Sequence, residues 1–375
     1  MGERIFSAPG RVEIGGNHTD HQHGRVLAAA IDLQAKCKAA ANGTNVVRIM
    51  DERFGEENVD LSDLEVRDEE KGKSAALIRG VAAWFKKHGY EIGGFDGAVS
   101  SNIPAGSGLS SSAAFEVLIG NVFKGLFGSA ASPLDIAIAG QFAENVYFGK
   151  PCGLMDQAAS SFGGLIMIDF KDPQNPQVTN IPLHLHGYEL CVVDTKGNHA
   201  GLTDEYAAIP SEMRTIAGHF GKQFLRDIKP ELFYKSISEL RKYGDRAVLR
   251  AIHFFGENDR VLRQARLLEQ GLIPRFLDLV NESGRSSMSY LQNIYPSGSA
   301  NEQEICIALA LSEQILSGKG AWRVHGGGFA GTTLAVVPGE LMQEYKSQME
   351  AVFGCGCCHF LNIREEGGME VKNNG

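Results

Sequence analysis

The stretch Pro104-Ala-Gly-Ser-Gly-Leu-Ser-Ser-Ser-Ala-Ala-Phe115 decides the fold of this chain, because it lies between two segments of different periodicity. Residues 95–102 alternate in the manner of a strand, and residues 112–126 carry apolar side chains at helical spacing. A strand, a glycine–serine turn and a helix in that order direct free backbone N–H groups and the positive end of a helix dipole at one small volume. The pattern predicts a phosphate-binding loop; the alternative is a serine-capped helix that follows a glycine turn.

The residue types within this loop suit a bound anion. Gly106 and Gly108 carry no Cβ, so the backbone can approach a ligand closely. The hydroxyls of Ser110, Ser111 and Ser112 can bond a phosphate oxygen or ligate Mg²⁺. We therefore expect residues 106–112 to form a phosphate cradle.

Length and composition indicate a globular protein and exclude several classes of partner. The chain has 375 residues, enough for two domains, and a net charge of −9, which argues against nucleic acid. No apolar run approaches the roughly 20 residues of a membrane span, and the N-terminus lacks the pattern of a signal peptide. The seven scattered cysteines favour reduced thiols. We expect a cytoplasmic protein with no nucleic-acid or membrane partner, either a monomer or a weak homo-oligomer.

The order of predicted elements indicates the fold class. Strands and helices alternate without the regular rhythm of a doubly wound sheet, which favours α+β. The first predicted strand, residues 4–8, turns at Pro9-Gly10, and a polar loop follows at residues 11–24. The charged residues 56–73 are predicted to be a surface excursion.

Two carboxylates in later segments could take part in chemistry at the phosphate loop. Glu144 lies near the C-terminal end of a predicted helix, where the dipole disfavours a carboxylate, so the position suggests a ligand; the alternative is a solvated glutamate. Asp156 falls in the first turn of the next predicted helix. Phosphoryl transfer needs a phosphate cradle, a metal carboxylate and an acid that orients the attacking hydroxyl. These segments offer all three, and Arg11 could add a fixed positive charge.

Four ordered motifs resemble the signatures of the galactokinases. They stand in galactokinase order at about the right separations, and with residues 257–261 the resemblance covers nearly the whole chain. The motifs are residues 9–20 (PGRVEIGGNHTD), 106–113 (GSGLSSSA), 152–157 (CGLMDQ) and 326–329 (GGGF). The chain is accordingly identified as a member of the GHMP kinase superfamily of galacto-, homoserine, mevalonate and phosphomevalonate kinases.

The resemblance implies a two-domain α+β molecule. Residues 1–187 would form a domain like the second domain of ribosomal protein S5, and residues 188–375 a ferredoxin-like domain with an added helical segment. The active site would lie in the cleft between the two domains. The third glycine motif, at residues 326–331, would close the cleft beside the phosphates.

The resemblance also implies an ATP- and Mg²⁺-dependent kinase that phosphorylates the anomeric hydroxyl of galactose or a close relative. Asp156 matches the catalytic aspartate and Arg11 the arginine that stabilises the transition state, while Ser112 and Glu144 match the Mg²⁺ positions. The triphosphate would be held by Gly106, Ser107, Gly108, Leu109, Ser110, Ser111 and Ser112. The sugar would be held by Asn17, His18, Thr19, Asp20, Gly153 and Tyr206.

Departures from the galactokinase pattern leave the sugar open. The usual sugar-binding tetrad begins with glutamate, but this chain has Asn17, and His21 and His325 replace a usual tyrosine and threonine. Asparagine removes a negative charge, so a uronic acid or an N-acetylhexosamine is an alternative substrate. A sensor that binds sugar and ATP without turnover is a further alternative, against which the intact catalytic set argues.

Two short clusters suggest metal sites at first sight. His18, Asp20, His21 and His23 could be metal ligands, but their place in the sugar tetrad argues against it. Residues 355–359 (CGCCH) look like part of a zinc site, but they lack a second ligand pair at the usual spacing, and small buried thiols are the expected alternative.

Overall fold

The computed structural model describes residues 2–53, 55–104, 106–182, 185, 187–198, 201–299 and 301–372. Within these ranges the chain forms two β-sheets with helices packed on them. In chain order the strands are β1 (Arg4–Gly15), β2 (Arg25–Ala41), β3 (Val46–Asp51), β4 (Gly55–Asp60), β5 (Phe95–Ser101), β6 (Leu165–Asp169), β7 (Gln177–Ile181), β8 (Tyr188–Asp194), β9 (Ala321–His325), β10 (Thr332–Pro338), β11 (Cys358–Leu361) and β12 (Met369–Val371).

The helices fall into an N-terminal group and a group that follows β8. Two of them continue directly into π-helical turns, α3 into Ala143–Phe148 and α9 into Ser287–Leu291. In chain order they are α1 (Ser74–Lys87), α2 (Ser111–Phe127), α3 (Pro133–Phe142), α4 (Met155–Phe162), α5 (Thr203–His219), α6 (Pro230–Lys235), α7 (Ile237–Leu240), α8 (Asp245–Glu269), α9 (Ile273–Ser286), α10 (Glu304–Leu316) and α11 (Met342–Phe353).

The long strand β2 organises the first sheet. The strand order is β12-β1-β2-β5-β3-β4, with β6 also paired to β2 and β7 paired to β6. Helices α2 and α4 pack on β1 and β2, while α1 and α3 pack on α2. Their apolar faces enclose the main core, in which Phe6, Phe85 and Phe123 are completely buried. The loops at the ends of β1 and β5 are thereby fixed against the starts of α2 and α4.

The predicted turn at Pro9-Gly10 is wrong, because β1 continues through it. Pro9 pairs with Gln34 of β2, and the register then shifts before Arg11 pairs with Ala30. This bulge brings the strand against the phosphate loop, where the Arg11 N–H donates to the Leu109 carbonyl at 3.2 Å. An added Cβ at Gly10 would lie 2.7 Å from that same carbonyl oxygen, so the close approach requires glycine.

The charged segment at residues 56–73 is only partly the predicted surface excursion. Its first residues belong to β4, an edge strand that pairs with β3 from Val46↔Asp60 to Asp51↔Gly55. Val59 is completely buried, whereas its neighbours Asn58 and Asp60 are exposed. β4 is an edge strand with one buried side chain, so its sequence lacks the apolar–polar alternation by which a strand is recognised.

The second sheet has the strand order β11-β8-β10-β9 and is antiparallel throughout. Its first strand in the chain, β8, begins at Tyr188, next to the predicted domain boundary. The chain then returns to the first sheet, since β12 pairs with β1 through Ile5↔Val371 and its neighbours. Strands and helices are mixed in both halves, which confirms the predicted α+β class.

Candidate active site

The phosphate loop predicted at residues 106–112 connects β5 to α2. Gly106, Gly108 and Ser110 have φ angles of 74°, 70° and 58°, which turn the chain sharply before the first residue of α2. A Cβ at Gly106 would meet no described atom within 4 Å, whereas one at Gly108 would lie 2.8 Å from Oγ1 of Thr332. The loop is therefore open at Gly106 and is supported by β10 at Gly108.

Two residues of the loop have side chains turned into the protein. The Ser107 hydroxyl donates to the Pro104 carbonyl at 2.7 Å, and the Leu109 side chain is part of the main core. Both residues hold the loop in shape. Any bond that they make with a phosphate must therefore come from their backbone N–H groups.

Arg11 and Asp156 form a bidentate ion pair beside the loop. The Arg11 Nε and Nη2 atoms donate to the two carboxylate oxygens of Asp156 at 2.7 and 2.8 Å, and Nη1 donates to the Gly108 carbonyl at 2.6 Å. The Ser110 hydroxyl donates to Oδ2 of Asp156 at 2.5 Å, and the backbone of Ser110 is left-handed. Burial raises the pKa of Asp156, but Arg11 and Ser110 together outweigh it, and the net pKa is lowered. Asp156 is thus held as a carboxylate.

Glu144 and Ser112 form the second polar group of the site. Glu144 lies in the π-helical turn after α3, and its side chain is buried rather than solvated. Its Oε1 atom accepts bonds from the Ser112 hydroxyl at 3.3 Å and from the Lys150 ammonium at 3.1 Å. A hydroxyl and a carboxylate are hard oxygen donors, which suit Mg²⁺.

Sequence reasoning missed two residues behind Glu144. The Gln157 amide nitrogen donates to Oε2 of Glu144 at 3.0 Å and to Oε2 of Glu116 at 2.9 Å. Glu116 is completely buried, and its burial together with the charge of Glu144 raises its pKa well above the ordinary value. A signal existed in the sequence, because Glu116 follows Ser112 by one helical turn and lies among apolar residues of α2.

A cavity of 350 Å³ opens beside Ser111 and Ser112. Its lining mixes apolar side chains from α1, α2, β2 and β5 with charged and hydroxyl side chains. A volume of this size, lined by both apolar and polar side chains, suits a small-molecule site. The lining includes Ala35, Asp51, Arg53, Lys73, Leu77, Val99, Phe115 and Phe148.

Asn17 and Thr19, both predicted to hold the sugar, have side chains bonded within the protein. The Asn17 amide donates to Oε1 of Glu13 at 3.1 Å and to the Gly326 carbonyl at 2.7 Å, and it accepts bonds from Ser287 and Asn293 at 3.3 and 2.9 Å. All its bonding capacity is used, and Asn17 is completely buried. The Thr19 hydroxyl bonds the Gly16 and Arg25 carbonyls at 2.8 and 2.5 Å. Both side chains are completely buried, and their hydrogen bonds hold the loop in shape.

The other predicted sugar residues lie on the loop after β1, on the segment before α4 and near the start of α5. An added Cβ at Gly153 would lie 2.0 Å from Oδ2 of Asp20, so the two residues are adjacent. The Tyr206 hydroxyl donates to the Gly328 carbonyl at 2.9 Å. Nε2 of His18 lies 3.0 Å from the Gly327 carbonyl, and burial together with His21 lowers the pKa of His18 to about 4.

The structure thus brings most of the predicted site together. Arg11, Asp156, Ser110, Ser112 and Glu144 form one polar region at the start of α2. The third glycine motif, residues 326–331, lies beside it and is bonded to the side chains of Asn17, His18 and Tyr206. Across the part of the chain that the structure describes, no three His, Cys, Asp or Glu side chains are placed to hold a metal ion.

Comparisons with known proteins show the class of protein to which this chain belongs. The sequence model of the GHMP kinases N terminal domain matches residues 76–164, and that of the galactokinase galactose-binding signature matches residues 2–38. The mevalonate kinase of Methanococcus jannaschii superposes with a TM-score of 0.66 over 96% of this chain and 98% of that one, at 13% identity, which supports the fold alone. The molecule is a kinase of the GHMP type, as the sequence motifs predicted.

The relatives then identify the family. The galactokinase of Glaesserella parasuis serovar 5 is 33% identical over 346 residues, which cover 91% of this chain and 87% of that one. The crystal structure of Lactococcus lactis galactokinase complexed with galactose has a TM-score of 0.85 at 25% identity, covering 98% of this chain and 95% of that one. This chain belongs to the galactokinase family, and it is a sugar kinase. Within the described residues, no helix has the length and apolarity to cross a membrane.

Proposed function

We propose that this protein transfers the γ-phosphoryl group of ATP to the anomeric hydroxyl of galactose. One observation carries the proposal: Asp156, paired with Arg11, is bonded by Ser110 of the phosphate loop and follows by three residues Gly153, which lies against Asp20. In this place a carboxylate can receive a sugar hydroxyl on one side while a phosphate approaches on the other.

The donor set is suited to Mg·ATP. Ser112 and Glu144 would hold Mg²⁺, an ion that takes several of its ligands from phosphates and water. The backbone of residues 106–112 would bond the triphosphate, and the 350 Å³ cavity would hold the nucleoside. When bound, Mg²⁺ would neutralise phosphate charge.

Asp156 would act mainly by orienting the sugar hydroxyl. Its pKa is lowered, so it stays ionised at neutral pH and accepts a hydrogen bond, but it is a weak base. The proton of the hydroxyl would therefore pass to Asp156 late, as the bond to phosphorus forms. Arg11, fixed by Asp156 and the Gly108 carbonyl, would place positive charge beside the transferred group.

Galactose is favoured over the uronic acid and N-acetylhexosamine alternatives. Those alternatives rested on an Asn17 amide that faces the sugar, but this amide is buried and fully bonded to protein groups. The match of residues 2–38 to the galactose-binding signature supports the same sugar. Asp20, His18, Gly153 and Tyr206 would form its pocket.

The proposal includes the predicted division of the chain. Residues 1–187 would carry the phosphate loop, the sugar loop and Asp156, and residues 188–375 would carry Tyr206 and the third glycine motif. Ligands would bind in the cleft where these segments meet. All seven cysteines are unpaired, which supports a reducing, cytoplasmic location.

The test is ADP release with Mg·ATP over a panel of galactose, N-acetylgalactosamine, galacturonate, glucuronate, arabinose and glucose. Asp156→Asn serves as the blank, because the amide retains the shape of the side chain but cannot take a proton. Galactose should be phosphorylated best, and Asp156→Asn should lose turnover while it still binds ATP. Faster turnover of a uronate, or no turnover of any sugar, would refute the proposal.

A further inference from the structure

Lys150 covers the buried carboxylate of Glu144 from the solvent side. It follows the π-helical turn that carries Glu144, and its backbone N–H donates to the Glu144 carbonyl at 3.1 Å. Its ammonium lies 3.1 Å from Oε1 of Glu144. The Lys150 side chain is 64% exposed and that of Glu144 only 4%, so the lysine can move whereas the glutamate is fixed.

The lysine and a bound metal ion would require the same oxygen. Oε1 of Glu144, which receives the ammonium, also receives the Ser112 hydroxyl at 3.3 Å. Ser112 and Glu144 are the residues proposed above to hold Mg²⁺. Two cations that share one carboxylate oxygen repel each other strongly in a partly buried site, so the more mobile one must leave.

The surroundings limit where the displaced ammonium can go. Asp156 is already engaged by both nitrogens of the Arg11 fork, and Glu116 is completely buried behind Gln157. The phosphates of the nucleotide are the new anion that arrives together with the metal. A lysine on a flexible stem is well suited to bind them as a point charge.

We propose that Lys150 is a phosphate-binding residue whose ammonium moves from Glu144 to the nucleotide phosphates when Mg·ATP binds. The proposal rests on the proposed function. Lys150 would add a second side-chain cation to the one that Arg11 supplies. The proposal also gives a reason why the backbone of this exposed lysine is bonded to Glu144.

The experiment compares Lys150→Met, Lys150→Arg and a control, Lys71→Met. The Lys71 side chain lies next to Gly149, the residue before Lys150, is also exposed, and pairs with Asp68 at 2.6 Å. Isothermal titration calorimetry measures the affinity for the Mg²⁺ complex of an ATP analogue with an imido bridge between the β- and γ-phosphates. Lys150→Met should bind about 10-fold more weakly, because it loses a bond to a charged group. Lys150→Arg and Lys71→Met should stay close to wild type.

Turnover and folding complete the test. With galactose, Lys150→Met should lower kcat by about 10-fold or more, since it removes positive charge beside the transferred group. An unchanged thermal unfolding temperature shows that the variant is folded. Unchanged analogue affinity in Lys150→Met would overturn the proposal, as would an equal loss in Lys71→Met, which would indicate a general charge effect. A wild type that binds the analogue but phosphorylates no sugar would refute the proposed function alone, since the binding comparison would still decide the role of Lys150.

Discussion

Gly153→Ala should weaken sugar binding without affecting the nucleotide. The backbone of Gly153 lies outside the left-handed region, so alanine is compatible with its conformation. The added Cβ, however, would lie 2.0 Å from Oδ2 of Asp20. Asp20 is the part that can move, because its side chain is the flexible partner in this contact.

The size of the effect follows from that overlap. The Asp20 carboxylate must retreat by about 1 Å, and a misplacement of this size in a binding site can cost about 100-fold. Loss of one hydrogen bond between the sugar and a carboxylate gives a similar figure, about 1.5–3 kcal/mol or roughly 10- to 150-fold in affinity. We therefore expect the KM for galactose to rise by one to two orders of magnitude.

The assay is ADP release with galactose varied at saturating Mg·ATP, together with calorimetric binding of the imido analogue of ATP. Gly218→Ala is the matched control, because Gly218 lies in α5 and its added Cβ would meet no described atom within 4 Å. The analogue affinity and the unfolding temperature of Gly153→Ala should match wild type. A galactose KM within 2-fold of wild type would refute the placement of Asp20 against the sugar, and an equal rise in Gly218→Ala would refute the steric reasoning.

Three further predictions concern the buried polar groups. Asn17→Leu should lower the free energy of unfolding by about 3 kcal/mol, because it leaves several buried partners of the amide without a hydrogen bond. Urea unfolding measures this loss, and an unchanged free energy would contradict the bonds assigned to the amide. The free energy of unfolding of Glu116→Gln should stay within about 1 kcal/mol of wild type, because the raised pKa of Glu116 favours the uncharged form. Glu116→Leu should be less stable than Glu116→Gln, because it removes the hydrogen bond to Gln157. A larger loss of stability in Glu116→Gln would argue that the carboxyl is charged. Burial lowers the pKa of His253 and His325, so below pH 6.5 the unfolded chain takes up more protons at these two histidines than the folded chain does. Their contribution to the free energy of unfolding should therefore fall as the pH drops below 6.5, and a flat profile between pH 7 and pH 5 would contradict it.

Local patterns predicted the parts of the site that depend on local structure. The phosphate loop, α2 and the first-turn position of Asp156 follow from periodicity and from turn residues, which act over a few positions. The run of β1 through Pro9 and Gly10 could not be predicted, because its bulge depends on the close approach of the Leu109 carbonyl, about 100 residues away. A proline followed by a glycine indicates a turn unless such a distant contact is known.

The direction of the Asn17 side chain also could not be predicted, because its partners are distant in the chain. Its amide is bonded by Ser287 and Asn293, about 270 residues later in the chain. Family motifs place Asn17 in the sugar loop, but only the packing of α9 and the third glycine motif on that loop decides which way the amide points. Lys150 was missed for the opposite reason: an isolated exposed lysine gives no signal until its partner, Glu144, is known to be buried.

Protonation of His325 in acid should affect catalysis as well as stability. Its Nε2 atom accepts the Glu13 N–H at 3.1 Å, so the ring is neutral and its proton is on Nδ1, which faces the Thr332 hydroxyl at 3.0 Å. Thr332 in turn supports Gly108, whose carbonyl holds Arg11. Protonation of His325 would remove the acceptor for the Glu13 N–H, two residues from Arg11, and would place a positive charge near the arginine. We therefore expect acid to loosen the Arg11–Asp156 pair together with the second sheet, so that activity and the free energy of unfolding fall together.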